Sequence, residues 1–254
     1  MSVVPEWARQ CGYGVRLEWG RTGAEVLGPG CAAVVVVDVL SFSTAVSVAV
    51  DAGTQVLPYR WRDATAAAFA AAEDAELAVG RSAVTADRPW SLSPAVLRRA
   101  PGPPRLVLPS PNGSAIASAV AGTPVIAGCL RNATAVARWI VQRGWATAEK
   151  PIAVIPAGEH WPGGEGIRPA IEDWLGAGAV VAALTTLGAG PCSPEAESAA
   201  ATYDGADVGA IIAECASARE LRAAGFAEDV AIAVELASST AVPVLRHRAF
   251  RDES

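Results

Sequence analysis

A run of four valines at 34–37 ends in Asp38 and continues through Leu40, Ser41, Phe42, Ser43 and Thr44, in the stretch VVVVDVLSFSTA. Consecutive β-branched residues suit a strand buried on both faces, and an acid just past such a strand stands where open α/β sheets hold their ligands. Asp38 reads in two ways. It could ligate a hard cation such as Mg²⁺, which takes one or two carboxylates plus substrate and water, or it could cap a helix by accepting backbone hydrogen bonds from the 41–44 turn. A second stretch, PSPNGSAIASAV from Pro109, sets Ser110, Asn112, Gly113 and Ser114 between a strand and a helix start. Glycine admits close backbone approach and free N–H groups favour an anion, so this has the composition of an anion cradle, and equally of an ordinary Pro-Asn-Gly turn.

Two further stretches carry candidates. IPAGE at 155–159 leads into IRPAIEDWLGAGAVV at 167–181. There Glu172 and Asp173 stand in the first turn of an apolar helix, where they suit the dipole and could also reach a metal or a water. Gly176 and Gly178 point to close helix packing. In CASARELRAAGFAEDV from Cys215, Ser217 and Arg219 precede a helix; a guanidinium there could clamp a phosphate or sulfonate, or end in a surface ion pair. His160 and His247 have neither metal-ligand spacing nor a nucleophile partner, which argues against a serine-hydrolase triad.

The elements that must position these groups follow from the hydrophobic pattern. Strand-length apolar runs recur at 34–37, 55–57, 77–79, 106–108, 124–126 and 152–155, with alanine-rich segments of helical spacing such as 63–73 and 133–141 between them. This alternation predicts a layered α/β/α fold with a largely parallel or mixed sheet. Segments 167–186, 208–213 and 220–224 read as helices, and PVLRHRAF from Pro243 as a closing strand. VDVLSFSTAVSVAV from Val37 aligns without gaps with AGCLRNATAVARWI from Ala127, ninety positions on. That echo predicts two similar strand-loop-helix halves, near 30–120 and 121–254, within a single domain 1–254, with both loops facing one cleft.

The totals narrow the function classes. Of 254 residues 52% are hydrophobic and 18% charged, enough for a large core. The five cysteines form no C-x-x-C pair and read as small buried hydrophobes. A net charge of −6 with Lys150 as the lone lysine argues against a nucleic-acid surface. No stretch reaches the roughly 18 apolar residues of a membrane span, and MSVVPEWARQ lacks a signal-peptide pattern, so a soluble cytoplasmic protein is expected.

In order along the chain, DVLSFST, SPNGS, RNATAVA, AGEHWPGGEGIRPAIEDWLGAG and CASARELRAAG resemble the 2-phosphosulfolactate phosphatase family. That family looks like an Asp-Val-Leu-Arg-Ala-Thr-Thr strand-loop, an Asn-Gly loop, an Asn-Ala helix start, a Gly…Glu-Asp…Ala-Gly helix and a Ser-x-Ser-Gly-Arg-x-Leu segment. The resemblance implies an α/β enzyme that hydrolyses a phosphate monoester of a small sulfonated acid with Mg²⁺, a step toward coenzyme M. It implies Asp38 and Glu172 as metal ligands and Asp38, Glu172, Asp173 and Arg219 as the catalytic set. Ser43, Thr44, Ser110, Asn112, Gly113, Ser114, Arg131, Asn132 and Ser217 would bind the substrate. The expected partners are a small anionic phosphate ester and a second copy of the chain, with neither nucleic acid nor membrane.

The departures from that pattern are specific. Ser41 stands for an arginine, Phe42 for an alanine, Arg81 for the glutamate of a Gly-Glu pair, Leu92 for an asparagine and Ala218 for a glycine. Arg81 and Arg131 are the candidates to restore the lost positive charge. The alternative is a non-catalytic small-anion-binding relative that has lost metal-dependent turnover.

Overall fold

The computed structural model describes residues 4–61, 63–99, 101–120, 122–161, 163–164 and 166–254. The first part of the chain alternates β1 (Val15–Leu17), α1 (Gly20–Leu27), β2 (Ala33–Val37), α2 (Phe42–Asp51), β3 (Gln55–Tyr59), α3 (Ala64–Ala72), β4 (Glu76–Leu77), α4 (Pro94–Arg99), β5 (Arg105–Pro109), α5 (Gly113–Ala119), β6 (Val125–Gly128), α6 (Ala133–Gln142) and β7 (Ile152–Pro156). A short hairpin of β8 (Glu159–His160) and β9 (Ile167–Arg168) follows. Then come α7 (Ile171–Thr186), α8 (Pro194–Asp204), α9 (Val208–Glu214), α10 (Ala216–Ala223) and α11 (Ala227–Ala233), and last β10 (Pro243–Arg246) and β11 (Ala249–Asp252). None of the described helices is long and apolar enough to cross a membrane.

Nine strands form one sheet in the order β1-β7-β2-β6-β10-β11-β3-β5-β4. The valine run explains itself here: β2 lies between β6 and β7, parallel to both. Val34 and Val36 enter one apolar core with α2, and Val35 and Val37 enter another with α6 and α7. Both faces of the sheet are thus covered, in the expected α/β/α layering, and no position in the run can be polar.

Two parallel blocks, β1-β7-β2-β6 and β3-β5-β4, are joined through β10 and β11 by three antiparallel pairings, so the blocks run in opposite directions. In a flat sheet their carboxyl ends would lie at opposite edges. Twist of roughly 20–25° per strand accumulates to about 100–125° over the five steps from β2 to β5. The sheet wraps round α2 and α5, and Val34, Phe42, Val56, Leu108 and Ile116 share one core. The loop after β5 thereby reaches the loop after β2.

Local departures from the sequence expectations have local causes. The closing strand is a hairpin, β10-β11, whose turn residues His247 and Arg248 take φ values of 47° and 70°. His-Arg lacks the Asn-Gly chemistry that marks such a turn. The helix expected over 167–186 begins at Ile171, because Pro169 disfavours helical backbone at the residue before it and Ile167 and Arg168 pair with β8 instead. The helix expected at 220–224 is the end of α10, which starts where Cys215 Sγ accepts from the Ala218 N–H at 3.4 Å. Cys31, Cys129 and Cys215 are buried thiols as expected, whereas Cys11 is exposed.

Candidate functional site

Asp38 leaves the carboxyl end of β2 and is 5% exposed. Its Oδ1 accepts from the Phe42 N–H at the start of α2, and its Oδ2 from the Gly113 N–H at the start of α5, each at 3.0 Å. One carboxylate therefore serves two helix starts, and the anion received by the Asn112-Gly113 turn is Asp38 itself. Gly113 is required for this approach: a Cβ there would lie 2.2 Å from Phe42 Cδ1. Ser43 Oγ accepts from the Asp38 N–H and donates to the Val36 carbonyl, while Thr44 Oγ1 donates to the Val39 carbonyl.

Asp173 ties three elements together. Its Oδ1 accepts from Val39 N–H at 2.7 Å and its Oδ2 from Gly158 N–H at 2.8 Å, joining the ends of β2 and β7 to α7. Gly158 takes a φ of +68°, which suits glycine. Gly176 lets α7 come close enough, since a Cβ would sit 2.6 Å from Val39 Cγ2. Gly178 does the same for α8, with Ala199 O at 2.3 Å from the Cβ position. The packing expected of this glycine pair is present.

Glu172, 2% exposed, and the partly buried Glu159, which accepts from Asn112 Nδ2 at 2.9 Å, complete a group of four carboxylates. Burial pushes the Asp38 carboxyl up to about 7, with the Glu159 charge adding to it and the Phe42 and Gly113 N–H bonds opposing. Burial also raises Asp173 well above the usual carboxylate range, assisted by Asp38 and Glu172, and raises Glu159 against the pull of its Asn112 hydrogen bond. Acids so placed either retain protons or share a cation.

A cavity of about 220 Å³ opens beside this group, lined by Asp38, Leu40, Ser41, Arg81, Leu92, Ser110, Pro111, Asn112, Glu159, Ser217, Glu220 and Leu221. Asn112 Oδ1 and Ser217 Oγ are buried there without a hydrogen-bond partner among the described residues. A neighbouring cavity of about 270 Å³, lined by Trp19, Arg21, Arg60 and His160 among others, shares Pro111 and Asn112 with it but none of the four carboxylates.

Asp38, Ser110, Asn112 and Ser217 thus line one cleft; Gly113 bonds Asp38, and Glu172 and Asp173 are buried near enough for their charges to act with that of Asp38 but do not line the cleft. Other expected site residues are placed elsewhere. Ser43, Thr44 and Ser114 spend their hydroxyls on backbone carbonyls, Ser114 on Leu108 O at 3.1 Å. Asn132 accepts from Cys129 N–H and donates to Ala127 O and Ala241 O, so its amide holds the backbone rather than an anion. Arg131 donates to Asp51, to Glu235 and to Ser47 Oγ. Arg219 is exposed and does not line the cleft. Helical periodicity gives the reason: Ser217, Glu220 and Leu221 share one face of α10, at i, i+3 and i+4, and residue 219 falls off it.

Of the two arginines expected to restore positive charge, Arg81 lines the cleft. It donates to Asp229 Oδ2 at 2.9 Å, Ser41 Oγ at 2.7 Å and Leu92 O at 3.1 Å, so three of the departure positions form one contact set. Glu159, like the lining Glu220 of α10, is a site acid that the sequence pattern does not single out. It stands just past the carboxyl end of β7, and the rule that singles out Asp38 applies to it equally.

No curated protein matches the chain. The family model for 2-phosphosulpholactate phosphatase matches residues 26–248 of 254, a span that contains every residue lining the cleft; the chain belongs to the 2-phosphosulpholactate phosphatase family.

Proposed function

We propose that the protein is a Mg²⁺-dependent phosphatase of a small anionic phosphate monoester, 2-phosphosulfolactate or a related compound. The observation that carries this reading is the group of interacting carboxylates Asp38, Glu159, Glu172 and Asp173, the first two of which line the cleft, in a chain of this family. Among the described residues no three His, Cys, Asp or Glu side chains form a ready metal cage. Mg²⁺ does not require one, because it binds through one or two carboxylates and keeps waters and substrate oxygens for the rest. The donors fit: all are hard oxygens, and Asn112 Oδ1 is a buried oxygen with no partner among the described residues. Asp38 and Glu172 would hold the ion, with Glu159 beside them. Bound there, Mg²⁺ supplies the positive charge that neutralises the phosphoryl oxygens.

The chain's own groups do the rest. Ser110 and Ser217 hydroxyls donate to anionic oxygens of the substrate, and Asp173 holds the ends of β2 and β7 in register with α7. Glu159, raised by burial, takes the proton of the attacking water. The water oxygen bonds to phosphorus, the ester P–O bond breaks, and a proton returns to the leaving oxygen, so an alcohol and inorganic phosphate result. Uncatalysed monoester hydrolysis is so slow that enzymes accelerate it by up to about 10²¹-fold, whereas one donor is worth about 10² to 10³. The changes at Ser41 and Leu92 therefore leave room for turnover while favouring a related ester.

The test is phosphate release from a panel of small esters, including 2-phosphosulfolactate, with Mg²⁺ and with EDTA. Metal-dependent release is expected. Arg81 in place of the family's glutamate and Ser41 in place of its arginine motivate a second reading, a non-catalytic anion binder. Such a protein would take up phosphate or sulfonate equally in EDTA and release no phosphate from any ester.

A further inference from the structure

Among the described residues Arg81 is the sole cation lining the cleft, and its guanidinium is held from two sides. Nε donates to Asp229, Nη2 donates to both Ser41 Oγ and Leu92 O, and Cζ lies 5.6 Å from the Phe226 ring centroid. Asp229 is itself buried, its second oxygen accepting from the Ser93 hydroxyl and from Ala95 N–H. Nη1 is left without a partner among the described residues. Two hydroxyls line the same cleft: Ser41 Oγ accepts from Arg81 and has its own proton to give, and Ser217 Oγ is buried with no partner among the described residues.

Arg81, Ser41 and Ser217 all line the cavity, and a set of donors with a fixed cation suits an oxyanion. The phosphoryl group belongs with the carboxylates and their cation, so this set fits a different part of the ligand. We propose that Arg81, positioned by Asp229, binds the acid group of the substrate that is not transferred, a carboxylate or sulfonate, with Ser41 and Ser217 donating beside it. Arg81 then determines specificity, and Asp229 acts through it. The assignment of this group to a substrate rests on the phosphatase reading; the binding of the acid does not.

Two measurements separate them. The first is the ratio of kcat/KM for 2-phospholactate to that for isopropyl phosphate, which keeps the phosphoryl group but lacks the carboxylate, in the wild type, R81Q, R81K and D229N, each checked by thermal melting. A charge-assisted contact of this kind is worth about 10- to 100-fold. The ratio should fall by that factor in R81Q, mainly through KM, recover in part in R81K, and fall through KM in D229N. The second is calorimetric titration with sulfolactate and with lactate in EDTA, where R81Q should lose affinity by a similar factor for at least one of them. Ratios and affinities within twofold of wild type in R81Q overturn the proposal, as does a wild type that neither binds these acids nor prefers the acidic ester. If no ester is hydrolysed, the phosphatase reading fails and the titration alone decides this one.

Discussion

The loops after β2 and β6 start from matching sequence and arrive at different roles. Leu40, Thr44, Ala45 and Val46 match Leu130, Thr134, Ala135 and Val136, each loop leads into a ten-residue helix, and the two strands are parallel neighbours. The ladder, however, pairs Val37 with Gly128, while the sequence match pairs Val37 with Ala127. A shift of one residue turns equivalent side chains to opposite faces of a sheet. Val37 accordingly lies in the core that α6 covers and Ala127 in the core that α2 covers, so the two helices pack on opposite faces of the sheet. Asp38 reaches the cleft, whereas its counterpart Gly128 has no space for a side chain, a Cβ there meeting Val35 Cγ1 at 2.6 Å. Ser41 touches Arg81 in the cleft, and its counterpart Arg131 lies between Asp51 and Glu235. A repeated sequence need not repeat a site.

The contrast is broken most severely at Asp38. Asp38→Asn should lower metal-dependent phosphate release by about 10³-fold, the upper end of what one well-placed electrostatic group contributes; a loss below tenfold would make this loop as purely structural as its echo. Arg131→Ala should show the opposite profile. Stability in a denaturant titration should fall by about 2–3 kcal/mol, less than for a wholly buried pair because Asp51 and Glu235 are 32% and 35% exposed, while kcat/KM stays within tenfold.

A third difference is in pH. Asp38, Asp173 and Glu159 all have carboxyls raised by folding, so the folded chain holds protons that the unfolded chain has already released. Their contribution is fully present below the ordinary carboxylate pKa and is lost as pH rises, for Asp38 through about 7. The metal-free protein should therefore become less stable from pH 5 to pH 8, by up to about 1.4 kcal/mol per pH unit for each proton. Melting curves should show this slope flattened by Mg²⁺ and by Asp38→Asn, and kept in Arg131→Ala. The smallest effect is expected of Gly128→Ala, which crowds one methyl of Val35 and should cost roughly 1 kcal/mol with turnover retained.

The parts of the molecule legible in advance were those with a strong local pattern. β2, β5 and β7 are uninterrupted apolar runs and α3 and α6 keep helical spacing, so their positions follow from burial. The β10-β11 turn at His247 and Arg248 has no such mark. In the site, Asp38, Ser110, Asn112 and Ser217 could be picked out because polar groups at strand ends and helix starts face clefts. Arg219 could not be separated from Ser217 without the phase of α10, and Arg81 acquires its place through Asp229, 148 residues away.

By itself the sequence determined which stretches become strands and helices and which polar types stand at their ends, since those follow from side-chain period and backbone preference within a few residues. Only the tertiary structure decided which ends meet. The one-residue register between β2 and β6, the accumulated twist that carries the β5 loop to Asp38, and the bare glycine at 113 against Phe42 depend on contacts between distant segments. Because side chains alternate along a strand, such a register has two outcomes, cleft or core, and no local pattern chooses between them.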